Sequence, residues 1–364
     1  MNTSVDVVVG GQYGDEGKGA VALWLADNYP YDFYIRTGGE NAEHRVRTKA
    51  GREHTFHIVP SAMASRDADM ATPILAPGMT FNPASLAREW ESWGATGRRI
   101  WVDEHCAMIT EDLRESGKEA AADRGSTHLG VGATMAAKVR RDGSCLLAKD
   151  VRRHIEQIPG AFVVDVTRML LSLHGTSILV EGSQGTMLSL DHGYYPYCTS
   201  RNVTAMGALS DAGLSWRDAR NVIMVVKAVP TRVPGNSGPS LGKELTWREV
   251  CQRAGRPFEQ IRQTKGGSAG QDAGGIERPF EVSFQELRLA SQLNGPTAIV
   301  VTYLDWLNIV DLGCQLPEQL SRESRSFIAK VEQATGAPVV MARTGPNYED
   351  HVMFPGRRVS LHEM

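Results

Sequence analysis

The first segment of the chain changes from apolar to polar within a few residues. Residues 5–9 read V-D-V-V-V, and this density of β-branched apolar side chains predicts a parallel strand that is covered on both faces. The next ten residues, G-G-Q-Y-G-D-E-G-K-G, are polar and rich in glycine, and a helical pattern follows over residues 20–28. A buried strand, a glycine-rich turn and a helix together predict a βα unit at the start of the fold.

Further short apolar runs recur along the chain and alternate with helical patterns. Strands are predicted at residues 32–36, 57–59, 73–75, 100–102, 177–180, 222–229, 298–301 and 338–341, and helices at residues 83–93 and 321–335. This alternation predicts an α/β fold with a mainly parallel central sheet, helices on both faces and long functional loops, similar to that of P-loop NTPases. Because no internal repeat or linker is seen, we expect residues 1–364 to form a single domain. Ligands should gather at the carboxyl ends of its strands.

The longest predicted loop covers residues 255–278 and is rich in glycine. A loop of this length in a compact fold is usually either a lid over a site or disordered. We therefore expect it to serve the site rather than the core.

Composition narrows the class of partner. The 364 residues are 41% hydrophobic and carry a formal net charge of −3, so no general attraction to nucleic acid or anionic membranes is expected. The five cysteines show no C-x-x-C spacing, which is typical of reduced thiols rather than of zinc ligands. No signal-peptide pattern and no apolar stretch of about 20 residues is present. We expect a soluble, cytoplasmic protein that binds small molecules.

The glycine-rich turn has the features of an anion site, but not those of a standard P-loop. Backbone N–H groups, Lys18 and the positive end of the following helix would all point at a phosphate. The P-loop pattern needs glycine at position 12 and Ser or Thr at 19, where the chain has Gln12 and Gly19. The acidic pair Asp15 and Glu16 favours either Mg²⁺ beside the phosphate or a carboxylate that abstracts a proton. The structural alternative is an ordinary βα turn with solvated carboxylates.

Several motifs, in one order, resemble those of adenylosuccinate synthetases. That family carries G-x-W-G-D-E-G-K-G where this chain has G-Q-Y-G-D-E-G-K-G at 11–19. The further motifs are G-G-E-N-A-E-H-R (38–45), H-I-V-P-S (57–61), G-S-T (125–127), E-G-S-Q-G-T (181–186), H-G-Y-Y-P-Y-C-T-S (192–200), T-R-V (231–233) and T-G-P (344–346). The resemblance therefore spans nearly the whole chain.

The resemblance implies a two-step ligase reaction. In the family, the γ-phosphoryl group of a nucleoside triphosphate moves to the 6-oxo oxygen of a purine monophosphate, and the amine of L-aspartate then displaces phosphate. By position, Asp15 is the implied base at N1, His44 stabilises charge at O6, and Lys18 binds phosphate. Mg²⁺ is the implied cofactor, with the Asp15 carboxylate and the backbone carbonyl of Glu43 as ligands. Without the resemblance, a lone histidine beside a turn is more often structural.

The resemblance also implies the binding residues. Those for the triphosphate are Gly14, Asp15, Glu16, Gly17, Lys18, Gly19, Glu43, His44, Arg45, Asp305, Thr344, Gly345 and Pro346. Those for the purine monophosphate are Asp15, Asn41, Ser126, Thr127, Arg141, Gln184, Thr199 and Val233. Arg141 would reach the 5′-phosphate in the neighbouring subunit, so a homodimer with a shared active site is implied. Those for aspartate are Arg278 and Lys265, with Arg262 upstream. As alternatives, Thr127 and Thr199 are helix caps and Arg141 is a solvated charge.

Three departures from the family pattern indicate one branch of it. The arginine-rich aspartate loop of the family is replaced by the run 264–284, and its guanine-reading K-L-D becomes Y-L-D at 303–305. Segments 195–201, 237–247 and 278–284 resemble the viral 2-aminoadenylosuccinate synthetases, which join aspartate to dGMP with an adenine nucleotide. Asp15 departs from that branch, whose better-known members carry a smaller residue there. We expect the dGMP reaction with ATP or dATP, in the host cytoplasm if the protein is viral. The alternatives are the ordinary reaction of IMP, aspartate and GTP, and a nucleotide-binding module without catalysis.

Overall fold

The computed structural model describes residues 3–66, 70–94, 97–120, 128–258, 276–354 and 356. Its strands are β1 (Ser4–Gly10), β2 (Phe33–Arg36), β3 (His44–Arg47), β4 (Glu53–Phe56), β5 (Thr72–Leu75), β6 (Thr80–Phe81), β7 (Ile100–Asp103), β8 (Ala107–Met108), β9 (Ala161–Val164), β10 (Ser177–Glu181), β11 (Ala219–Lys227), β12 (Thr231–Arg232), β13 (Arg278–Pro279), β14 (Ala298–Thr302), β15 (Val339–Arg343) and β16 (His351–Met353). Its α-helices are α1 (Lys18–Asn28), α2 (Pro83–Ser92), α3 (Glu111–Ala120), α4 (Val131–Arg140), α5 (Arg152–Ile155), α6 (Val166–Ser172), α7 (Ala205–Ala212), α8 (Trp247–Ala254), α9 (Phe284–Asn294) and α10 (Arg322–Thr335).

One ten-stranded sheet joins strands from both ends of the chain. Its order is β16-β15-β14-β11-β1-β10-β2-β5-β7-β9, and every neighbouring pair is parallel except the edge pair β15 and β16. The predicted mainly parallel sheet is therefore confirmed.

Both faces of the sheet are covered by helices. On β1, Val5, Val7 and Val9 pack into one apolar cluster with residues of α7, α9 and α10, whereas Val8 packs into the other with residues of α1 and α2. This alternation follows from the two-residue period of a strand. It confirms the predicted helices on both faces.

One predicted strand is wrong. Residues 57–59 are not a strand, because β4 ends at Phe56. The N–H groups of His57, Ile58 and Val59 instead donate to the carboxylate of Glu89, at 2.9, 3.0 and 2.7 Å. A side chain from α2 thus takes the donors that a neighbouring strand would have used.

The helix after the glycine-rich turn begins two residues earlier than predicted. Gly17 adopts a left-handed φ of 84° as the N-cap, and α1 begins at Lys18 rather than at residue 20. Lys18 and Gly19 therefore lie in the first helical turn, where backbone N–H groups have no intrahelical acceptor.

Only the ends of the predicted 255–278 loop lie among the described residues. Gly255 caps α8 with a φ of 70°. After the gap the described residues begin at Ile276, two residues before β13. Residues 259–275 lie outside the described residues.

The fold brings the last residues of the five central strands to one edge of the sheet. These residues are Gly10, Arg36, Glu181, Lys227 and Thr302. Three of the five carry charged side chains, and all three are buried. This edge is where a doubly wound α/β sheet binds its ligands. In the part of the chain that the structure describes, no helix has the length and apolar character needed to cross a membrane.

Candidate functional site

The two acidic residues of the glycine-rich loop have different environments. Glu16 is fully buried, and its Oε1 accepts the N–H groups of Gln12 and Gly14 at 3.1 and 2.9 Å. Its Oε2 accepts from Lys18 Nζ at 2.7 Å. Glu16 therefore fastens the loop from inside, and the alternative of two solvated carboxylates is wrong for this residue.

Asp15 points the other way. Its side chain is 48% exposed, and its Oδ2 accepts from the Nζ of Lys227, the buried last residue of β11. Lys227 Nζ also donates to Thr231 Oγ1 at 2.7 Å and lies 3.8 Å from Glu277 Oε2. Burial lowers the pKa of Lys227, but the carboxylates of Asp15 and Glu277 outweigh it and hold that pKa above its ordinary value. Lys227 is thus a cation at neutral pH.

His44 is held by a second buried network. Glu181, at the end of β10, forms an ion pair with Arg36, whose Nη1 lies 2.9 Å from its Oε1, and accepts from the Ser61 N–H at 2.7 Å. Its Oε1 also contacts His44 Nδ1. Burial raises the pKa of Glu181, but Arg36 and His44 outweigh that effect and bring it to about 2. The same Nδ1 also contacts Arg36 Nη1, which can only donate, so this ring nitrogen lies between a cation and an ionised carboxylate.

This network fixes the charge state of the imidazole. Burial, and next the Arg36 cation, lower the pKa of His44 to about 4 against the pull of Glu181. The ring is therefore neutral at pH 7, with Nδ1 held between Glu181 and Arg36. The carboxylate sets the orientation of the ring, as the third group of a catalytic triad does.

Backbone strain concentrates at this edge of the sheet. Among the described residues, five non-glycine residues have positive φ, and three of them lie here: Asp15 at 57°, Gln184 at 56° and Tyr303 at 62°. Each such residue costs about 1–3 kcal/mol, and this cost is usually found where function demands the geometry. The loop is close to Gln184, since a Cβ on Gly14 would lie 3.7 Å from the Gln184 Cα.

The residues predicted for the purine monophosphate are partly brought together. Gln184 Nε2 donates to Asn41 Oδ1 at 3.3 Å, while Gln184 Oε1 is buried without a partner among the described residues. Thr199 is not a helix cap, because the N-cap of α7 is Thr204. The N–H of Thr199 donates to Leu188 O at 2.8 Å. The Val233 carbonyl accepts from Ser237 Oγ at 2.5 Å. Ser126 and Thr127 lie outside the described residues.

Arg141 lies on the surface, away from these groups. It follows α4 with a φ of 58° and is exposed, whereas the neighbouring Arg140 is engaged by Asp142 at 3.1 Å and Ser144 at 3.0 Å. Its predicted role in a neighbouring subunit stays a prediction.

The residues predicted for the triphosphate base lie at the ends of β14 and β15. Asp305 is buried, and both its carboxylate and its carbonyl accept from Arg256, the carbonyl from Nε at 2.8 Å. The guanidinium of Arg256 in turn lies 4.5 Å from the ring of Trp306. Asp305 is therefore already paired within the protein.

The T-G-P turn is shaped by Asp350. The Thr344 N–H donates to Asp350 O at 2.9 Å, and a Cβ at Gly345 would lie 2.5 Å from Asp350 Oδ2, so only glycine fits there. Arg47 on β3 donates to Asn347 at 2.5 Å and holds the β3–β4 hairpin beside this turn. Glu43 and Arg45, which pair at 3.0 Å, begin the same hairpin, and Pro346 completes the turn.

Arg278 is also engaged within the chain. Its Nε and Nη2 donate to the two carboxylate oxygens of Glu244 at 2.8 and 2.5 Å, and its Nη1 donates to Gly238 O at 3.0 Å. An incoming carboxylate would therefore have to displace Glu244. The other predicted aspartate ligand, Lys265, and Arg262 upstream of it lie outside the described residues.

Sequence reasoning missed the roles of Arg36, Glu181 and Lys227. Each is the last residue of a buried strand. A charged residue at the end of an apolar run was the available signal, because in a parallel α/β sheet that position faces the ligand edge.

Comparisons with known proteins show the family of the chain. The sequence model described as adenylosuccinate synthetase matches residues 7–154 and 147–312. The adenylosuccinate synthetase of Methanocaldococcus jannaschii is 31% identical over 346 residues, which are 93% of this chain and 94% of the relative. That of Pyrococcus horikoshii is 30% identical over 351 residues, 94% of this chain and 96% of the relative.

Two solved structures share the fold. The fully ligated adenylosuccinate synthetase of Plasmodium falciparum has a TM-score of 0.82 at 19% identity, and covers 97% of this chain and 100% of its own. The succinoaminodeoxyadenylate synthetase of cyanophage S-2L, bound to dGMP and to dATP as an energy donor, has a TM-score of 0.80 at 24% identity. That likeness covers 98% of this chain and 97% of the phage protein.

Proposed function

The chain belongs to the adenylosuccinate synthetase family, and on that premise we propose that it joins L-aspartate to the 6-oxo position of dGMP, with ATP or dATP as phosphoryl donor. Membership makes it a C–N bond-forming ligase of the adenylosuccinate synthetase type. The products would be the 2-aminodeoxyadenylosuccinate, ADP or dADP, and phosphate.

The pairing of Asp305 with Arg256 is the observation that carries this proposal. A guanine base presents N1–H and 2-amino donors, and a carboxylate must be available to accept them. Here Arg256 holds the Asp305 carboxylate and stacks on Trp306, while Tyr303 stands where the resemblance places a lysine. A guanine triphosphate would have to share the Asp305 carboxylate with the Arg256 cation, whereas an adenine triphosphate has no such demand.

The unpartnered Oε1 of Gln184 supports a 2-amino purine as the acceptor. A buried acceptor oxygen without a donor costs about 1–3 kcal/mol. Guanine offers a 2-amino group that hypoxanthine lacks, so it can supply a donor in addition to the N1–H that Asp15 removes.

The chemistry assigns a task to each network. Asp15, half-exposed and fixed on Oδ2, takes the N1 proton of the purine and makes O6 nucleophilic. The N–H groups at the start of α1 bind the phosphoryl oxygens, helped by the helix dipole. His44, oriented by Glu181, lies against the charge that develops around O6. The aspartate amine then attacks C6, and phosphate leaves with the former O6.

The donor groups at this site fit Mg²⁺. The described residues contain no group of three or more His, Cys, Asp or Glu side chains that could hold a metal ion. Proteins usually bind Mg²⁺ through one or two oxygen ligands together with phosphates and water, and the Asp15 carboxylate and the Glu43 carbonyl are oxygen donors of this kind. Asp15 and the Glu43 carbonyl would hold it, and when bound it would neutralise charge on the phosphates.

Ordinary adenylosuccinate synthesis from IMP, aspartate and GTP is the second candidate. It is favoured by the names of the curated relatives at 30–31% identity and by Asp15 itself, since the resemblance gives the dGMP-using branch a smaller residue there. The homodimer, with Arg141 reaching across it, is part of our proposal under either candidate.

The choice between ATP and GTP as phosphoryl donor tests the proposal, and Arg256 is the residue to change. In the wild-type protein, kcat/KM should be higher with ATP than with GTP. The Arg256→Ala variant frees Asp305 to accept from guanine, so we expect the ATP-to-GTP ratio to fall about tenfold or more. Arg253→Ala in the last turn of α8, which loses an exposed pair with Glu281, is the control and should keep the wild-type ratio. A wild-type preference for GTP would contradict the proposed donor.

The aspartate clamp can be tested by two substitutions with opposite expected effects. Arg278→Ala should raise the KM for aspartate by about 10- to 150-fold, because a charge-assisted pair contributes on the order of 1.5–3 kcal/mol. Glu244→Gln should lower that KM, since it weakens the internal competitor for the same guanidinium. Steady-state kinetics with saturating nucleotides measures both. If both variants keep the wild-type KM for aspartate, Arg278 is not the clamp.

A further inference from the structure

Lys227 occupies an unusual place for a lysine. It is the last residue of β11, its side chain is 1% exposed, and its neighbour in the register is Thr302 on β14. Its backbone is fixed as well, because its N–H donates to Gln12 Oε1 at 2.8 Å and its carbonyl accepts from Gln12 Nε2 at 3.1 Å. The sheet and the glycine-rich loop thus hold this residue together.

The groups around its Nζ come from four segments. Asp15 belongs to the loop, Thr231 to β12, Glu277 to the approach to β13, and Tyr303 to the segment after β14, with Nζ 4.8 Å from the Tyr303 ring centre. A buried lysine is rare unless it is paired. Of its two carboxylate neighbours, Asp15 accepts directly while Glu277 lies at 3.8 Å, so the pairing is directed at Asp15.

Asp15 needs such an anchor. Asp15 lies in a loop and has a left-handed φ of 57°. Its side chain is half-exposed, so the loop backbone alone does not fix the direction of the carboxylate. The nearest lysine in sequence, Lys18, is turned inward onto Glu16 at 2.7 Å. Lys227 therefore holds the Asp15 carboxylate from the buried side of the loop.

We propose that Lys227 is a positioning residue for the ligase reaction, which holds the Asp15 carboxylate in place for proton transfer from the purine. The inference rests on the proposed role of Asp15 and does not depend on which purine is used. Its tests are therefore run with whichever monophosphate the wild-type protein turns over. A substrate other than dGMP would contradict the proposed function and leave this inference intact.

The Lys227→Met variant removes the cation at nearly constant volume. Because misplacement of a reacting group by about 1 Å can cost 100-fold, we expect kcat to fall about 10- to 100-fold. The KM for aspartate should stay within about threefold, since neither Lys227 nor Asp15 contacts that substrate in the proposed mechanism. Lys330→Met, on an exposed position of α10, controls for the loss of a lysine charge and should keep the wild-type kcat.

A double-mutant cycle separates positioning from a structural role. If Lys227 acts through Asp15, the Asp15→Asn/Lys227→Met protein should be no slower than Asp15→Asn alone. Active-site concentration, from calorimetric titration with the monophosphate, corrects every kcat for unfolded protein. Additive losses in the cycle, or an unchanged kcat in Lys227→Met, would overturn the inference.

A second variant keeps the test open if Lys227→Met does not fold. Thr231→Val retains the lysine and the shape of the side chain, but removes the 2.7 Å hydrogen bond that holds Nζ. We expect a severalfold lower kcat with unchanged KM for aspartate. A wild-type kcat in Thr231→Val, with Lys227→Met unfolded, would mean that the lysine is only structural.

Discussion

The Asp15→Asn protein is expected to bind both nucleotides and to lose about 10³-fold or more in kcat. General acid–base catalysis typically contributes 10²- to 10⁴-fold, and an asparagine cannot take the N1 proton that must leave before O6 becomes nucleophilic. Binding should persist because the loop is fastened by Glu16, not by Asp15. Rates come from initial-velocity assays and binding from calorimetry.

The neighbouring carboxylate provides the matched comparison for this prediction. The Glu16 carboxylate accepts from the N–H groups of Gln12 and Gly14 and from Lys18, and Glu16→Gln removes its charge. That variant should lose triphosphate affinity, whereas Asp15→Asn should lose turnover. A kcat above about one tenth of wild type in Asp15→Asn would remove this residue from proton transfer.

The second large effect is expected at His44. His44→Asn should lower kcat about 10²- to 10³-fold, the usual cost of removing one group that faces developing charge. Glu181→Gln should give a smaller loss with the same pattern, because Glu181 acts on the reaction only by orienting the ring. His105→Asn, whose histidine is exposed beside Asp103, is the control.

Thermal unfolding must be measured together with these rates, because Glu181 also contacts Arg36 and Ser61 and its substitution can lower stability. We expect a lower Tm in Glu181→Gln and little change in His44→Asn. If kcat in His44→Asn stays near that of wild type, the histidine is structural, as a lone histidine beside a turn more often is.

The sheet could be predicted from sequence because its strands are short, apolar and separated by helical patterns. What sequence could not supply is which distant side chains meet at the strand ends. The strand predicted at residues 177–180 stops before Glu181, because a charge after an apolar run is typical of the start of a loop. In the structure Glu181 pairs in register with Arg36, 145 residues away in sequence, and the two charges stabilise each other there.

The acidic pair in the loop shows that sequence alone is also insufficient for residues that are adjacent in the chain. Asp15 and Glu16 are adjacent, and composition gives no reason to separate their roles. The left-handed conformations of Asp15 and Gly17 turn one carboxylate outward to Lys227 and the other inward to the loop amides. The strand prediction at 57–59 failed for a related reason, because Glu89 from α2 takes its backbone donors.

The engaged states of Asp305 and Arg278 were also beyond sequence reasoning. Both were predicted as ligand contacts by position, and the structure pairs them with Arg256 and Glu244. The identity of these partners decides what each site residue can still bind. For that reason the resemblance gave the family reliably, whereas the choice of nucleotide had to be argued from contacts.

Competition between substrates tests the central claim most directly. dGMP and IMP should be assayed side by side at equal concentration, each with ATP and with GTP, with saturating aspartate and Mg²⁺, and the succinylated products quantified. We predict that dGMP with ATP gives the highest kcat/KM, about 100-fold above IMP, because a site built to hydrogen-bond the 2-amino group rejects a base without it. Turnover of IMP with GTP and none of dGMP would contradict the account and establish the ordinary adenylosuccinate reaction.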